Sequence, residues 1–141
     1  MRHSNFILVL LSLIYLTGPL NAGRAYSAFA NVKLSRIIDG DTFTVDLPCA
    51  DEVFCKDISV RVRGIDTPEL KSKNAQKRQA ALKAKEFTKN FLEAGQVDLL
   101  NCGRDKYFRL LCDVTSDGED LASALFKAGL AKPYFGGKKQ Q

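Results

Sequence analysis

The clearest alternation of apolar and polar positions sets Ile58, Val60 and Val62 against Ser59, Arg61 and Arg63. A period of two predicts a strand over residues 58–65 with one buried and one wet face, and it puts Arg61 on the wet face. Phe43, Val45 and Leu47 alternate with Thr44 and Asp46 and predict a strand before it. A first strand is expected over 32–39, closed by the turn signal Asp39-Gly40. Residues 48–57 read as a polar loop bounded by Cys49 and Cys55.

The period then changes. From 75 to 93, Ala80, Ala84, Phe87 and Phe91 fall on one helical face, and Gly95 is the expected stop. A fourth strand is expected over 96–101, a turn over 102–106 and a fifth strand over 107–115. Leu121, Ala124, Leu125 and Ala128 mark a short second helix ending at Gly129. Three strands, a helix and two strands follow the order of a five-stranded OB-type barrel. The expected fold is therefore mainly β, with one helix between strands three and four and a short second one. About 110 residues bury roughly two thirds of their unfolded surface, enough for one barrel core.

The N-terminus reads differently. Arg2 precedes the apolar run 6–16, then Gly18-Pro19, with small residues offering cleavage after Ala22, Ala25 or Ala30. This is the pattern of a secretory signal, and the run is short of the ~20 residues of a membrane span. The expected organisation is a signal over 1–30, an OB-fold domain over 31–135 and a disordered basic tail over 136–141. The protein is expected to be exported, secreted or periplasmic, and monomeric, with no stable protein partner.

Four cysteines behind such a signal favour disulfides over a zinc site, since no Cys-x-x-Cys spacing occurs. Of the three possible pairings, sequence proximity selects Cys49–Cys55 and Cys102–Cys112, the second bracketing a turn. The single histidine is His3, inside the signal. Its removal leaves no histidine general base, dyad or metal ligand, so any hydrolysis would have to use carboxylates, arginines and a hard metal. The net charge is +5. Cleavage beyond Arg24 lowers it by two and cleavage before it by one, so the mature chain stays basic, as a polyanion partner requires.

Candidate chemistry gathers at strand ends. Asp66-Thr67-Pro68-Glu69 closes the third strand a few residues from Arg61. The same residues also read as a helix start, with Thr67 as cap, Pro68 at the first helical position and Glu69 in the first turn. Asp41 opens the second strand. In a meander it approaches Asp66, and the two could share one oxygen-ligated cation, calcium or magnesium. Asp39 is adequately explained by turn chemistry. Residues 104–109, Arg-Asp-Lys-Tyr-Phe-Arg, bring further basic groups and an aromatic, with Arg109 on the face opposite Phe108 and Leu110; a solvated edge charge would account for it equally.

With these pieces assembled, the chain resembles the staphylococcal (thermonuclease) nuclease family from about Val32 to Tyr134. The resemblance rests on Ile-Asp-Gly-Asp-Thr at 38–42, Arg61, Ile-Asp-Thr-Pro-Glu at 65–69, Asp-Lys-Tyr-x-Arg at 105–109 and Ala-Gly-Leu-Ala-Lys at 128–132. It implies an OB barrel and a calcium-dependent phosphodiesterase acting on DNA and RNA, releasing 3′-phosphate ends. It implies Asp41, Asp66 and the Thr67 carbonyl as Ca2+ ligands. Glu69 would activate or position the attacking water, Arg61 and Arg109 would clamp the phosphate, and Lys106 and Tyr107 would contact a neighbouring phosphate. The chain departs from the staphylococcal pattern at Phe108, where a small residue is usual, in the longer Cys49–Cys55 loop, and in lacking a last helix after Tyr134. The rival reading is a non-catalytic OB module that holds single-stranded nucleic acid on Tyr107, Phe108 and Phe135. Metal-dependent turnover separates the two.

Overall fold

The computed structural model describes residues 27–49 and 51–136. The expected signal up to residue 26 and the tail beyond Gly136 lie outside the described residues. The order is β1 (Ser27–Phe29), β2 (Lys33–Ile37), β3 (Thr42–Asp46), α1 (Glu52–Cys55), β4 (Ile58–Val62), β5 (Ile65–Asp66), α2 (Ala75–Glu93), β6 (Val97–Arg104), β7 (Leu110–Ser116), β8 (Glu119–Asp120), α3 (Leu121–Lys127) and β9 (Lys132–Pro133). The main sheet runs β1-β6-β7-β4-β3-β2, with β8 paired to β7, and β5 and β9 form a separate pair.

The five expected strands are present in OB order, and the extra strands are short pieces of them or bridges beside them. β2, β3 and β4 form the antiparallel meander, and β4 pairs with β7 in parallel. The expected first strand is β2; β1 lies ahead of it, set off by Asn31 at φ +51°. The two pair with different neighbours, β1 with β6 and β2 with β3, which brings the two ends of the curled sheet together. Ser27–Phe29 thus belongs to the sheet although it falls within the stretch expected to be a signal. The strand expected over 58–65 divides because Gly64 adopts φ +77°, a turn conformation that costs a glycine little.

The turn expected over 102–106 is displaced. β6 runs on to Arg104, held against β7 by Gly103↔Leu111 and Arg104↔Leu110, and the chain turns at residues 105–109 instead. Phe108 is consequently a turn residue and not part of the fifth strand. The loop after Pro48 holds a single helical turn, α1, capped by Asp51, which accepts from the Val53 N–H.

The core is Phe43, Val45, Val60, Val62, Leu99, Cys112 and Val114 from the sheet, closed by Leu92 of α2 and by Leu121 and Leu125 of α3. β7 alternates buried and half-buried along its whole length, as a half-covered strand should. α2 starts and stops where the pattern predicts, with Asn74 as its N-cap accepting from the Lys77 N–H. Its buried face is rotated by one position from the expected one, to Ala81, Ala84, Thr88 and Leu92, with Phe87 and Phe91 stacked at its edge. The reading of Thr67-Pro68-Glu69 as a helix start fails, because the helix begins eight residues later. Among the described residues no helix is long and apolar enough to cross a membrane.

Both disulfides join the expected pairs, Cys49–Cys55 closing the α1 loop and Cys102–Cys112 crossing from β6 to β7. The second is buried. Closing a loop of that length stabilises by about 2–3 kcal/mol in the chain-entropy account. Replacing Cys102 and Cys112 together by alanine should therefore lower unfolding stability by about that amount in urea titrations. The Cys49/Cys55 pair, at the surface, should cost less. Equal stability of the oxidised protein and the Cys102/Cys112 variant would refute this.

Candidate active site

Strand pairing builds the site from three separated stretches. Thr42 lies opposite Arg61 in the β3–β4 ladder, so Asp41 sits at the end of β4, where its carbonyl accepts from the Val62 N–H at 2.9 Å. The parallel β4–β7 register sets Arg61 opposite Leu111. Arg109 ends the turn just before β7 and lines the same cleft as Arg61. The stretch after β5 brings Thr67 back onto Asp41.

Asp41 is 2% exposed. Its Oδ2 accepts from the Thr67 backbone N–H at 2.8 Å and from the Thr67 hydroxyl at 3.1 Å. Its Oδ1 accepts from the Thr42 hydroxyl at 3.0 Å and from Arg61 Nη1. The other arm of that guanidinium, Nη2, donates to the Ile65 carbonyl at 3.0 Å and to Asp66 Oδ1 at 3.1 Å. Arg61 is thus only 9% exposed, against the expectation that it points to water. The face of β4 opposite the apolar core is roofed by the Thr67 turn and by Tyr134, whose ring lies 5.9 Å from the guanidinium carbon. A buried charge persists there because each donor has a carboxylate or carbonyl to meet it.

Arg109 is half-buried and organised by Asp105. Asp105 Oδ2 accepts from Arg109 Nε at 2.7 Å, while Oδ1 accepts from the backbone N–H of Tyr107 at 2.8 Å and of Arg109 at 3.0 Å. Burial pushes the Asp105 carboxyl up, but these bonds from the Arg109 side chain and the two backbone amides outweigh it and hold the group below its ordinary value. The guanidinium of Arg109 and the ammonium of Lys106 lie 5.3 Å and 5.0 Å from the centre of the Tyr107 ring.

A cleft of about 1160 Å³ joins these groups; Asp41, Arg61, Thr67, Glu69, Lys106, Tyr107 and Arg109 all line it. Asp66 stands beside it, paired to Arg61. The residues expected from sequence therefore converge on one place. The sequence reading gave Asp39 only turn chemistry and assigned no site role to Asp105 or Tyr134, yet all three line the cleft. No group of three or more His, Cys, Asp or Glu side chains meets among the described residues. A cation here would be held by two carboxylates and neutral oxygens. Asp41 and Asp66 fit that part by their chemistry, as two oxygen-donor carboxylates that share one guanidinium, that of Arg61.

The family model described as "Staphylococcal nuclease homologue" matches residues 59–141. The chain belongs to the staphylococcal nuclease family. It is 32% identical over 133 residues to Thermonuclease of Staphylococcus hyicus, covering 91% of this chain and 75% of that protein. It is 32% identical over 120 residues to Thermonuclease of Staphylococcus intermedius, covering 84% and 68%. Endonuclease YncB of Bacillus subtilis (strain 168) is 37% identical over 105 residues, covering 72% of this chain and 47% of its own length. The chain thus spans about half of that relative.

In this family member Asp39 carries the strongest electrostatic perturbation of the cleft. Burial, and then the neighbouring charge of Asp41, push its carboxyl up from an ordinary 3.8 to about 6, against a lowering bond from the Asp41 N–H. The folded state therefore holds the Asp39 proton more tightly than the unfolded chain. Below about pH 4 both states are protonated; between about pH 4 and 6 the unfolded chain ionises while the folded state keeps the proton, so stability falls until the folded state too ionises above about 6. Asp39→Asn removes that charge and keeps an oxygen for the Asp41 amide. In chelator, its melting temperature should exceed that of the parent at pH 7, and the two should converge near pH 4. A constant difference across pH 4–7 would rule out the Asp39 charge as the cause.

Proposed function

We propose that this chain is a calcium-dependent nuclease that hydrolyses phosphodiester bonds of both DNA and RNA. The observation that supports the reading is the convergence of Asp41, Glu69 and two arginines, Arg61 and Arg109, on one cleft, with Asp66 paired to Arg61 beside it. Nucleases of this family need a metal. Asp41, Asp66 and the Thr67 carbonyl would hold it, and a hard cation there supplies Lewis-acid polarisation of a phosphoryl oxygen.

The remaining roles belong to the chain. The planar forks of Arg61 and Arg109 match two phosphoryl oxygens and stabilise the charge that grows on them as water attacks. Glu69, in the wall of the same cleft, accepts the proton that water loses; in a domain without histidine a carboxylate is the available base. The new P–O bond comes from water, the bond to the 5′ oxygen breaks, and that oxygen takes a proton from solvent, leaving a 3′-phosphate. Lys106 and Tyr107 hold a neighbouring phosphate. Asp105 acts through Arg109, orienting its fork from below.

Export is part of the proposal. Two bonded cysteine pairs suit an oxidising compartment. Because Ser27–Phe29 closes the sheet, cleavage after Ala22 or Ala25 leaves the barrel whole and cleavage after Ala30 does not. The exported protein acts as a monomer with no stable protein partner.

The test is turnover of plasmid DNA and of RNA by the purified protein in calcium, in magnesium and in chelator, with Arg109→Lys alongside. Calcium should support cleavage of both polymers. Magnesium, which demands tighter geometry and dehydrates reluctantly, should support little, and chelator none. Lysine keeps the charge of Arg109 but loses the fork. The variant should fall by about two powers of ten in turnover, by the scale of losing one oxyanion donor. It should lose about 1 kcal/mol or less in stability, since the Asp105 pair is partly solvated. Salt-sensitive binding of nucleic acid without turnover would establish the non-catalytic OB module instead. Full activity in chelator would end the metal mechanism, and wild-type turnover of Arg109→Lys would leave Arg61 as the sole clamp.

A further inference from the structure

Phe108 occupies a conformation that its side chain does not favour. Its φ is +65°, in the left-handed region that suits glycine and asparagine and costs a bulky residue. The turn leaves it no alternative. The Phe108 N–H donates to the Asp105 carbonyl at 3.1 Å, its own carbonyl accepts from Arg104 Nη1 at 2.6 Å, and the Asp105 side chain pins the residues on either side. Nothing in the core repays the strain, because the ring is 79% exposed. A large apolar side chain held in a strained turn, next to a phosphate-binding arginine and away from the core, points to a ligand surface.

The neighbours say which ligand. Lys106 and Arg109 flank the Tyr107 ring, itself 67% exposed, so the same five-residue turn presents cations and aromatic faces together. That combination reads nucleic acid as alternating phosphate and base, the cations taking the one and the rings the other. A ring fully in solvent can stack only on a base whose face is open. In a duplex both faces of each base are already covered by the neighbouring pairs.

We propose that Phe108 is a specificity-determining residue that stacks on an unpaired nucleobase beside the phosphate held by Arg109, and so favours single-stranded over duplex substrate. This rests on the nuclease reading above for its turnover arm but not for its binding arm. The binding arm uses a single-stranded oligonucleotide containing 2-aminopurine, in chelator so that nothing is cut. Its fluorescence should be quenched by the parent protein and by Phe108→Trp, and much less by Phe108→Gly, with affinity for the oligonucleotide falling roughly tenfold in the glycine variant.

The turnover arm compares a single-stranded oligonucleotide, its duplex and an abasic oligonucleotide of the same length. Phe108→Gly should raise KM on the single strand about tenfold and leave the other two unchanged, while Phe108→Trp keeps the preference. Glycine suits the backbone here, so the variant should melt no lower than the parent, which removes misfolding as an explanation. Equal quenching by parent and glycine variant would overturn the proposal. So would a parallel loss on all three substrates, which would make Phe108 a backbone support for Arg109. A parent that quenches in chelator yet cuts nothing in calcium would uphold stacking and refute the nuclease reading.

Discussion

One buried carboxylate holds the site together. Asp41 collects two bonds from Thr67, one from Thr42 and one from Arg61. Its partners lie 26 and 20 residues away in the chain, so a single side chain ties the start of β3 to the end of β4 and to the turn after β5. In a medium where an unpaired charge is expensive, these bonds are obligatory as a set: removing Arg61 or Thr67 leaves the carboxylate undercompensated and loosens the turn that carries Glu69. The constellation that would hold a cation is thus also the constellation that fixes the backbone around it.

Packing behind the site is correspondingly close. A Cβ on Gly40 would lie 2.7 Å from the Ala84 Cβ and 2.9 Å from the Thr67 hydroxyl. The Thr88 hydroxyl donates to the Gly40 carbonyl at 2.6 Å. α2 therefore presses directly on the chain segment between Asp39 and Asp41, and only the absence of a side chain at residue 40 admits both the helix and the Thr67 turn. On the far side, the Cys102–Cys112 bond and the β6–β7 ladder stiffen the strand that begins beside Arg109. Arg61 stands on a sterically braced strand and Arg109 beside a covalently braced one, as the proposed phosphate clamp would require.

The site divides into a buried and a wet half. Arg61 is locked among carboxylates and carbonyls, whereas Arg109 rests on Asp105 and an exposed tyrosine. Asp39, crowded by Asp41, holds its proton more strongly than an ordinary acid, while Asp105, bonded to a cation and two amides, holds it more weakly. Burial pushes both carboxyls up; for Asp39 the charge of Asp41 adds to it, whereas for Asp105 the Arg109 guanidinium and two backbone amides outweigh it.

Much of this was written locally in the chain. Alternation at 58–62 and the helical period over Ala75–Glu93 specify elements whose side chains meet the core at fixed intervals, and the turn residues Asp39-Gly40 and Asp117-Gly118 fall where strands end. The cysteine pairs were legible because each lies within ten residues. The tertiary structure alone decided the rest. Arg61 alternates like a solvent residue, but whether its side of β4 meets water depends on Thr67, six residues on, and on Tyr134, seventy-three residues away. Thr67-Pro68-Glu69 carries good capping chemistry, yet Thr67 spends its hydroxyl on Asp41 and the helix waits for Asn74. The start of β7 moved from residue 107 to Leu110 because strand pairing between Arg104 and Leu110 overrides local propensity. Period and propensity report what a residue does against its neighbours in sequence. Burial of a charge, and the bond that makes it tolerable, depend on partners that only the folded chain brings within reach.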